Sequence, residues 1–117
     1  VVRTLPPNKQ PHVAGDDGVV HVWGLPWKVT IAEIQEFFDG YELYTGAPTQ
    51  QQPQCVICID TDYNGKRTGD GYVRFVDADM ARKSLARHCK YMEHRYICLE
   101  ISSLQRMNEA VEKVQTL

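Results

Sequence analysis

The sequence predicts an α+β sandwich of the split βαβ kind: one antiparallel sheet, two helices on its back, and an extra C-terminal helix. Three observations lead there. Short apolar runs of strand character recur four times. Two stretches with helical spacing separate the first from the second and the third from the fourth. The resulting order is β-α-β-β-α-β, followed by one more helix.

Each element has its own reason. Residues 1–17 hold Pro6, Pro7, Pro11 and Gly15 with little periodicity and read as a flexible tail. GVVHVWGLP (18–26) then alternates, with Val20 and Val22 to one side and His21 and Trp23 to the other. Such alternation makes a half-buried strand, and Gly24 and Pro26 stop it. Thr30 and Glu33 form a capping box, in which each side chain satisfies a free N–H of the helix start. Ile31, Ile34, Phe37 and Phe38 follow at helical spacing up to Gly40. Residues 41–53, rich in Gly, Pro and Gln, read as a loop. CVICID (55–60) is a buried strand with Cys55, Ile57 and Ile59 on the core side. Asn64-Gly65 marks a turn, and the strand around GYVRF comes next. Asp77 or Asp79 caps a helix containing Ala81 and Leu85. Tyr96 to Ile101 is the last strand, with Ile97, Leu99 and Ile101 on one face. Ser102 or Ser103 starts the final helix, to about residue 116. The organisation is a tail (1–17), a domain (18–102) and a C-terminal helix (103–117) expected to dock on it.

The 117 residues suffice for one small domain with one core. A hydrophobic fraction of 43% fits a folded chain rather than disorder. No apolar run approaches a membrane span, so no membrane association is expected, and no signal peptide is visible. The chain opens with Val rather than Met and reads as an excerpt of something longer. Four cysteines without a secretory signal point to reduced thiols in an intracellular protein. A formal net charge of −2 argues against coating nucleic acid by bulk charge. The distribution is less even. From Lys66 to Arg95 eight basic residues (Lys66, Arg67, Arg74, Arg82, Lys83, Arg87, Lys90, Arg95) stand against four acidic ones (Asp70, Asp77, Asp79, Glu93), a local basic bias.

Metal and catalytic chemistry find little support. Asp60-Thr61-Asp62-Tyr63-Asn64-Gly65 copies the opening of a calcium loop. The eighth position of that loop is Arg67 and the twelfth is Gly71 instead of Glu, and the flanks are strands. Cys55 and Cys58 are spaced C-x-x-C, but a strand sends those thiols to opposite faces. Together with Cys89 and Cys98 they read as structural, and no metal or other cofactor is expected. No nucleophile elbow and no phosphate-cradling glycine loop is present, so no enzymatic activity is expected.

KRTGDGYVRF (66–75) carries the binding signal. The strand of an RNA-binding sheet reads basic–Gly–aromatic–Gly–aromatic–Val–x–aromatic. Gly69, Gly71, Tyr72, Val73 and Phe75 fit it, but Asp70 stands where the first stacking ring belongs. A carboxylate there repels phosphate and offers no ring. The outward residues of the central strands are then His21, Asp70 and Tyr72, an impaired surface on which His21 and Tyr72 are secondary candidates for contact with RNA.

Three stretches taken together resemble a known variant. Gly24-Leu25-Pro26-Trp27 follows the first strand, Lys66-Arg67-Thr68-Gly69-Asp70 precedes the third, and His94-Arg95-Tyr96-Ile97 opens the fourth. Over residues 19–103 this is similar to the quasi-RNA recognition motif of the heterogeneous nuclear ribonucleoprotein F/H family, a ferredoxin-like RRM fold. The resemblance implies that short G-tracts of single-stranded RNA are gripped by three loops rather than by the sheet, and that an acidic residue at Asp70 is usual. It implies RNA-contacting roles for Trp23, Trp27, Lys66, Arg67, Arg95 and Tyr96. Guanine offers O6 and N7 to a bidentate Arg, and every base stacks on an aromatic or guanidinium plane. Two departures bear on guanine selectivity. The family's Arg before Gly-Leu-Pro is Trp23 here, and its second-loop Arg is Lys66, a point charge instead of a planar fork. The implied function is mRNA processing, such as splicing or control of mRNA stability, in the nucleus or else the cytoplasm.

SLQRMNEAVEKVQTL (103–117) places Leu104, Met107, Val111 and Val114 on one apolar stripe. Docked across the sheet, the stripe would cover Tyr72 and His21 and leave the loops free. The rival function is an RRM-like protein-interaction module with little RNA affinity, taking protein partners on this helix or on Trp23 and Trp27.

Overall fold

The computed structural model describes residues 17–45 and 56–115, the last two as backbone only. Most of the expected tail, the loop residues 46–53 and Cys55 lie outside the described residues. The elements are β1 (Val19–Trp23), α1 (Ile31–Phe37), β2 (Ile57–Thr61), β3 (Arg67–Arg74), α2 (Ala78–Ser84), β4 (Lys90–Met92), β5 (Arg95–Ile101) and α3 (Leu104–Gln115), with a 3₁₀ turn at Leu85–Arg87 after α2. The strands form one five-stranded sheet in the order β2-β3-β1-β5-β4. Every pairing is antiparallel, so the chain has the expected α+β ferredoxin-like fold.

Strand alternation builds the core. Val20 and Val22 of β1, Val73 of β3, and Ile97 and Leu99 of β5 point to the face covered by α1 and α2. There they meet Leu25, Val29, Ile34, Phe38, Phe75 and Ala81, all buried. Phe38 packs edge-on against Phe75, with ring centroids 5.2 Å apart. Thr30 caps α1 as its sequence promised: Thr30 Oγ1 accepts from the Glu33 amide at 3.1 Å, and Glu33 Oε1 accepts from the Thr30 amide at 2.9 Å. A cap of this kind is worth about 1 kcal/mol. Asp77 caps α2 by accepting from the Met80 amide at 2.8 Å. Ile31, placed on the apolar stripe by periodicity, is instead 42% exposed.

The opposite face carries a second apolar cluster. Val19 and Cys58 lie under Met107, Ala110 and Val111 of α3, and Tyr72 and Leu104 pack at its edge. Ser103 starts the helix, its hydroxyl accepting from the Arg106 amide at 3.2 Å. Asp17, the last residue of the expected tail, accepts the Leu104 amide at 2.8 Å. Lys113 closes the far end with an ion pair to Asp60 at 3.1 Å.

Two details depart from the expected element list. Leu43 forms an isolated bridge to Phe75, so the segment read as loop begins beside the end of β3. The connection before the last strand contains β4, which makes a tight hairpin with β5 in the register Met92↔Arg95. Glu93 takes φ +58° at the head of that turn. Glycine is the usual residue at such a position, and a glutamate there carries no turn signal.

Candidate nucleic-acid interface

Three loops meet at one end of the sheet, and the connection Gly24–Thr30 is their centre. Leu25 and Val29 are buried and anchor it. The Leu25 amide donates to the Gly69 carbonyl at 3.0 Å, and the Val29 amide turns back to the Pro26 carbonyl at 3.0 Å. Between these anchors Trp27 stands out into solvent, 74% exposed. A tryptophan that serves packing is mostly buried; this ring is not.

Arginines clamp the loop from both sides. Arg67 Nη1 donates to the carbonyls of Trp27 (3.1 Å) and Val29 (2.6 Å). Arg95 Nε donates to the Gly24 carbonyl at 2.9 Å. Gly24 sits at φ +87°, and a Cβ there would lie 2.5 Å from the Tyr96 carbonyl oxygen. The β1–α1 loop and the start of β5 are therefore in backbone contact, which only glycine permits.

Trp27, Lys28, Gly65, Lys66 and Arg67 line a cleft of about 540 Å³. The Lys28 ammonium lies 5.0 Å from the Trp27 ring centroid. Asp62 braces the turn behind Gly65 and Lys66. Its Oδ1 accepts from the amides of Asn64 (2.8 Å) and Lys66 (3.0 Å), and these bonds hold its carboxyl below the usual carboxylate range. The stretch that copies a calcium loop thus uses Asp62 to brace the β2–β3 turn that presents Lys66 to the cleft.

Tyr96 lies on β5 beside the clamp, 59% exposed. Its ring stacks on Tyr91 of β4, with centroids 4.4 Å apart and planes 23° apart. Tyr91 and Lys28 were not among the residues singled out from the sequence. Lys28 adjoins Trp27 and carried its own signal; Tyr91 did not, because the hairpin that delivers it was unannounced.

The sheet face is a different environment. His21 stacks between Trp23 (5.0 Å) and Tyr72 (5.2 Å). His21 Nδ1 lies 2.9 Å from Glu100 Oε2, and its Nε2 lies 3.5 Å from Asp70 Oδ1. Tyr72 also packs against the α3 cluster, and burial pushes its hydroxyl above the usual tyrosine range. Trp23, expected with the loop residues, stands on this sheet face in the stack with His21 and does not line the Trp27 cleft. The structure thus gathers Trp27, Lys66 and Arg67 in one cleft, sets Arg95 and Tyr96 against the same loop, and leaves His21, Trp23 and Tyr72 on a carboxylate-flanked sheet partly covered by α3.

Comparison with known proteins places these features. The family model described as RRM domain matches residues 20–115. Heterogeneous nuclear ribonucleoprotein F of Macaca fascicularis is 34% identical over 84 residues, covering 72% of this chain and 18% of the relative. Heterogeneous nuclear ribonucleoprotein H of Homo sapiens is 33% identical over 82 residues, covering 70% of this chain and 16% of the relative. The chain thus spans less than a fifth of the length of these curated relatives. Among solved structures, the Glorund qRRM2 domain superposes with a TM-score of 0.67 at 34% identity, over 79% of this chain and 96% of that one. G-rich RNA sequence binding factor 1 from Homo sapiens shares the fold, with a TM-score of 0.62 at 21% identity over 84% and 92% of the two chains.

Proposed function

This chain belongs to the RNA recognition motif family, and we propose that it is a single-stranded RNA-binding domain that holds G-rich tracts with its loops instead of its sheet. The observation behind this reading is the contrast between its two surfaces. The loop end offers an exposed indole beside Lys28, Lys66 and Arg67 in an open cleft. The sheet face offers a histidine flanked by two carboxylates, and a tyrosine packed under a helix. Phosphate favours the first and is repelled by the second.

The chemistry of the loop end suits a base. Trp27 and Tyr96 present open ring faces for stacking. Arg95 uses Nε on the Gly24 carbonyl, and that bond aims a guanidinium fork whose outer nitrogens match the O6 and N7 edge of guanine. Arg67 is first a brace of the loop, and Lys28 and Lys66 supply charge. The resemblance to ribonucleoproteins F and H extends the reading to RNA processing in the nucleus, with no catalytic step of the domain's own.

An NMR titration of this chain with G-tract, U-tract and A-tract oligonucleotides tests the proposal. Large shifts with the G-tract alone, grouped at residues 24–30, 62–67 and 88–96, are the expected result. Shifts grouped on His21, Asp70 and Tyr72 would return binding to the sheet. No shift with any RNA would end the reading in favour of a protein-interaction module.

A further inference from the structure

We propose that Tyr91 is a positioning residue of the RNA site, covering one face of the Tyr96 ring and fixing it as a platform for a single base. The inference rests on the loop reading given above.

Tyr91 and Tyr96 face each other directly across the β4–β5 hairpin. Their rings lie 4.4 Å apart and nearly parallel. The two hydroxyls share a hydrogen bond, which pushes Tyr91 above the usual tyrosine range. Both side chains are more than half exposed, Tyr91 at 61% and Tyr96 at 59%. An exposed tyrosine on a hairpin samples several rotamers when nothing holds it, and a base that stacks on it must first freeze that motion. Tyr91 removes the cost in advance, since a stack and a hydroxyl bond restrict both torsions of Tyr96. Rigid aromatic rings that lose little entropy are what a binding surface gains from such an arrangement.

The same contact limits stoichiometry. With one face of Tyr96 against Tyr91, one face remains. Beyond Tyr91 lies a groove of about 280 Å³ lined by Glu33, Glu36, Phe37, Met92 and Glu93. Three carboxylates there oppose an RNA backbone, so Tyr91 does not serve as a second platform. The Arg95–Gly24 bond ties the hairpin to the loop that carries Trp27.

A double-mutant cycle tests this with the intact chain and a G-tract oligonucleotide, using Tyr91→Ala, Tyr96→Ala, the double variant and Tyr91→Phe. Tyr91→Ala should weaken binding about two- to tenfold, the cost of ordering one side chain. In the Tyr96→Ala background the same change should matter by less than about twofold. Tyr91→Phe keeps the ring cover and should lose less than Tyr91→Ala. In the RNA-free protein, side-chain couplings of Tyr96 should report one rotamer in the wild type and averaging in Tyr91→Ala. A full loss on Tyr91→Ala in the Tyr96→Ala background would mean that Tyr91 touches RNA itself and would overturn the proposal. So would wild-type affinity in Tyr91→Ala. A wild-type chain that binds no RNA overturns the loop reading as well, so the two failures are distinguishable.

Discussion

Arg95 Nε donates to the carbonyl oxygen of Gly24 at 2.9 Å, joining the first residue of β5 to the turn that ends β1. The bond does two things: it holds the loop and it aims the guanidinium. Arg95→Lys keeps the charge and loses the planar fork. It should lower stability by about 0.5–1.5 kcal/mol, the worth of one hydrogen bond, and should cost more in G-tract affinity than in stability. Urea unfolding and a binding titration on the same sample check the two numbers. Equal small losses would reduce Arg95 to a structural tether.

Gly24→Ala tests the backbone contact on the other side of that bond. The added Cβ would stand 2.5 Å from the Tyr96 carbonyl oxygen, in a residue at φ +87°. The positive φ alone costs about 1–2 kcal/mol, and the clash adds to it. Thermal unfolding should show a clear drop in Tm. Amide shifts in the variant should move at both residues 24–30 and 95–97, since neither backbone can yield alone.

Stacking separates the two surfaces. Trp27→Ala and Tyr96→Ala should each weaken RNA binding by about 1–3 kcal/mol. Tyr72→Ala should weaken it less, because that ring lies against α3 and beside His21. Circular dichroism establishes that each variant is folded before titration. A larger loss at Tyr72 than at Tyr96 would restore recognition by the sheet.

Lys66 is expected to meet phosphate. Its place in the cleft with Trp27 and Lys28 suits a point charge beside a stacked base. Lys66→Ala should flatten the plot of log affinity against log salt by about 0.7, the value for one contact on a single strand. An unchanged slope would mean that the ammonium stays in solvent.

Met107 tests the helix over the sheet. It is buried against Val19 and Cys58, so Met107→Ala should cost about 2–5 kcal/mol of stability. Affinity of the folded fraction for RNA should stay the same, because the Met107 cluster contains none of the residues that line the Trp27 cleft. A rise in affinity would mean that the helix blocks a competent sheet.

Local chemistry made much of this domain legible in the sequence. Thr30 and Glu33 fixed the start of α1, because a capping box is satisfied within four residues. The alternation of Val20, His21, Val22 and Trp23 assigned their faces, since a strand can place neighbours only on opposite sides. The apolar stripe of α3 was equally plain, and the quoted loop motifs pointed to Trp27, Arg95 and Tyr96. What the sequence left open depended on distance along the chain. The face that receives α3 was settled by Val19 and Cys58, which come together only when β1 and β2 flank β3. The different settings of Trp23 and Trp27 follow from the turn at Gly24, which leaves one indole on the sheet and lifts the other off it. The Tyr91–Tyr96 stack needed a hairpin whose turn has glutamate at positive φ, a strained choice that no local preference announces and that the pairing of β4 with β5 must stabilise.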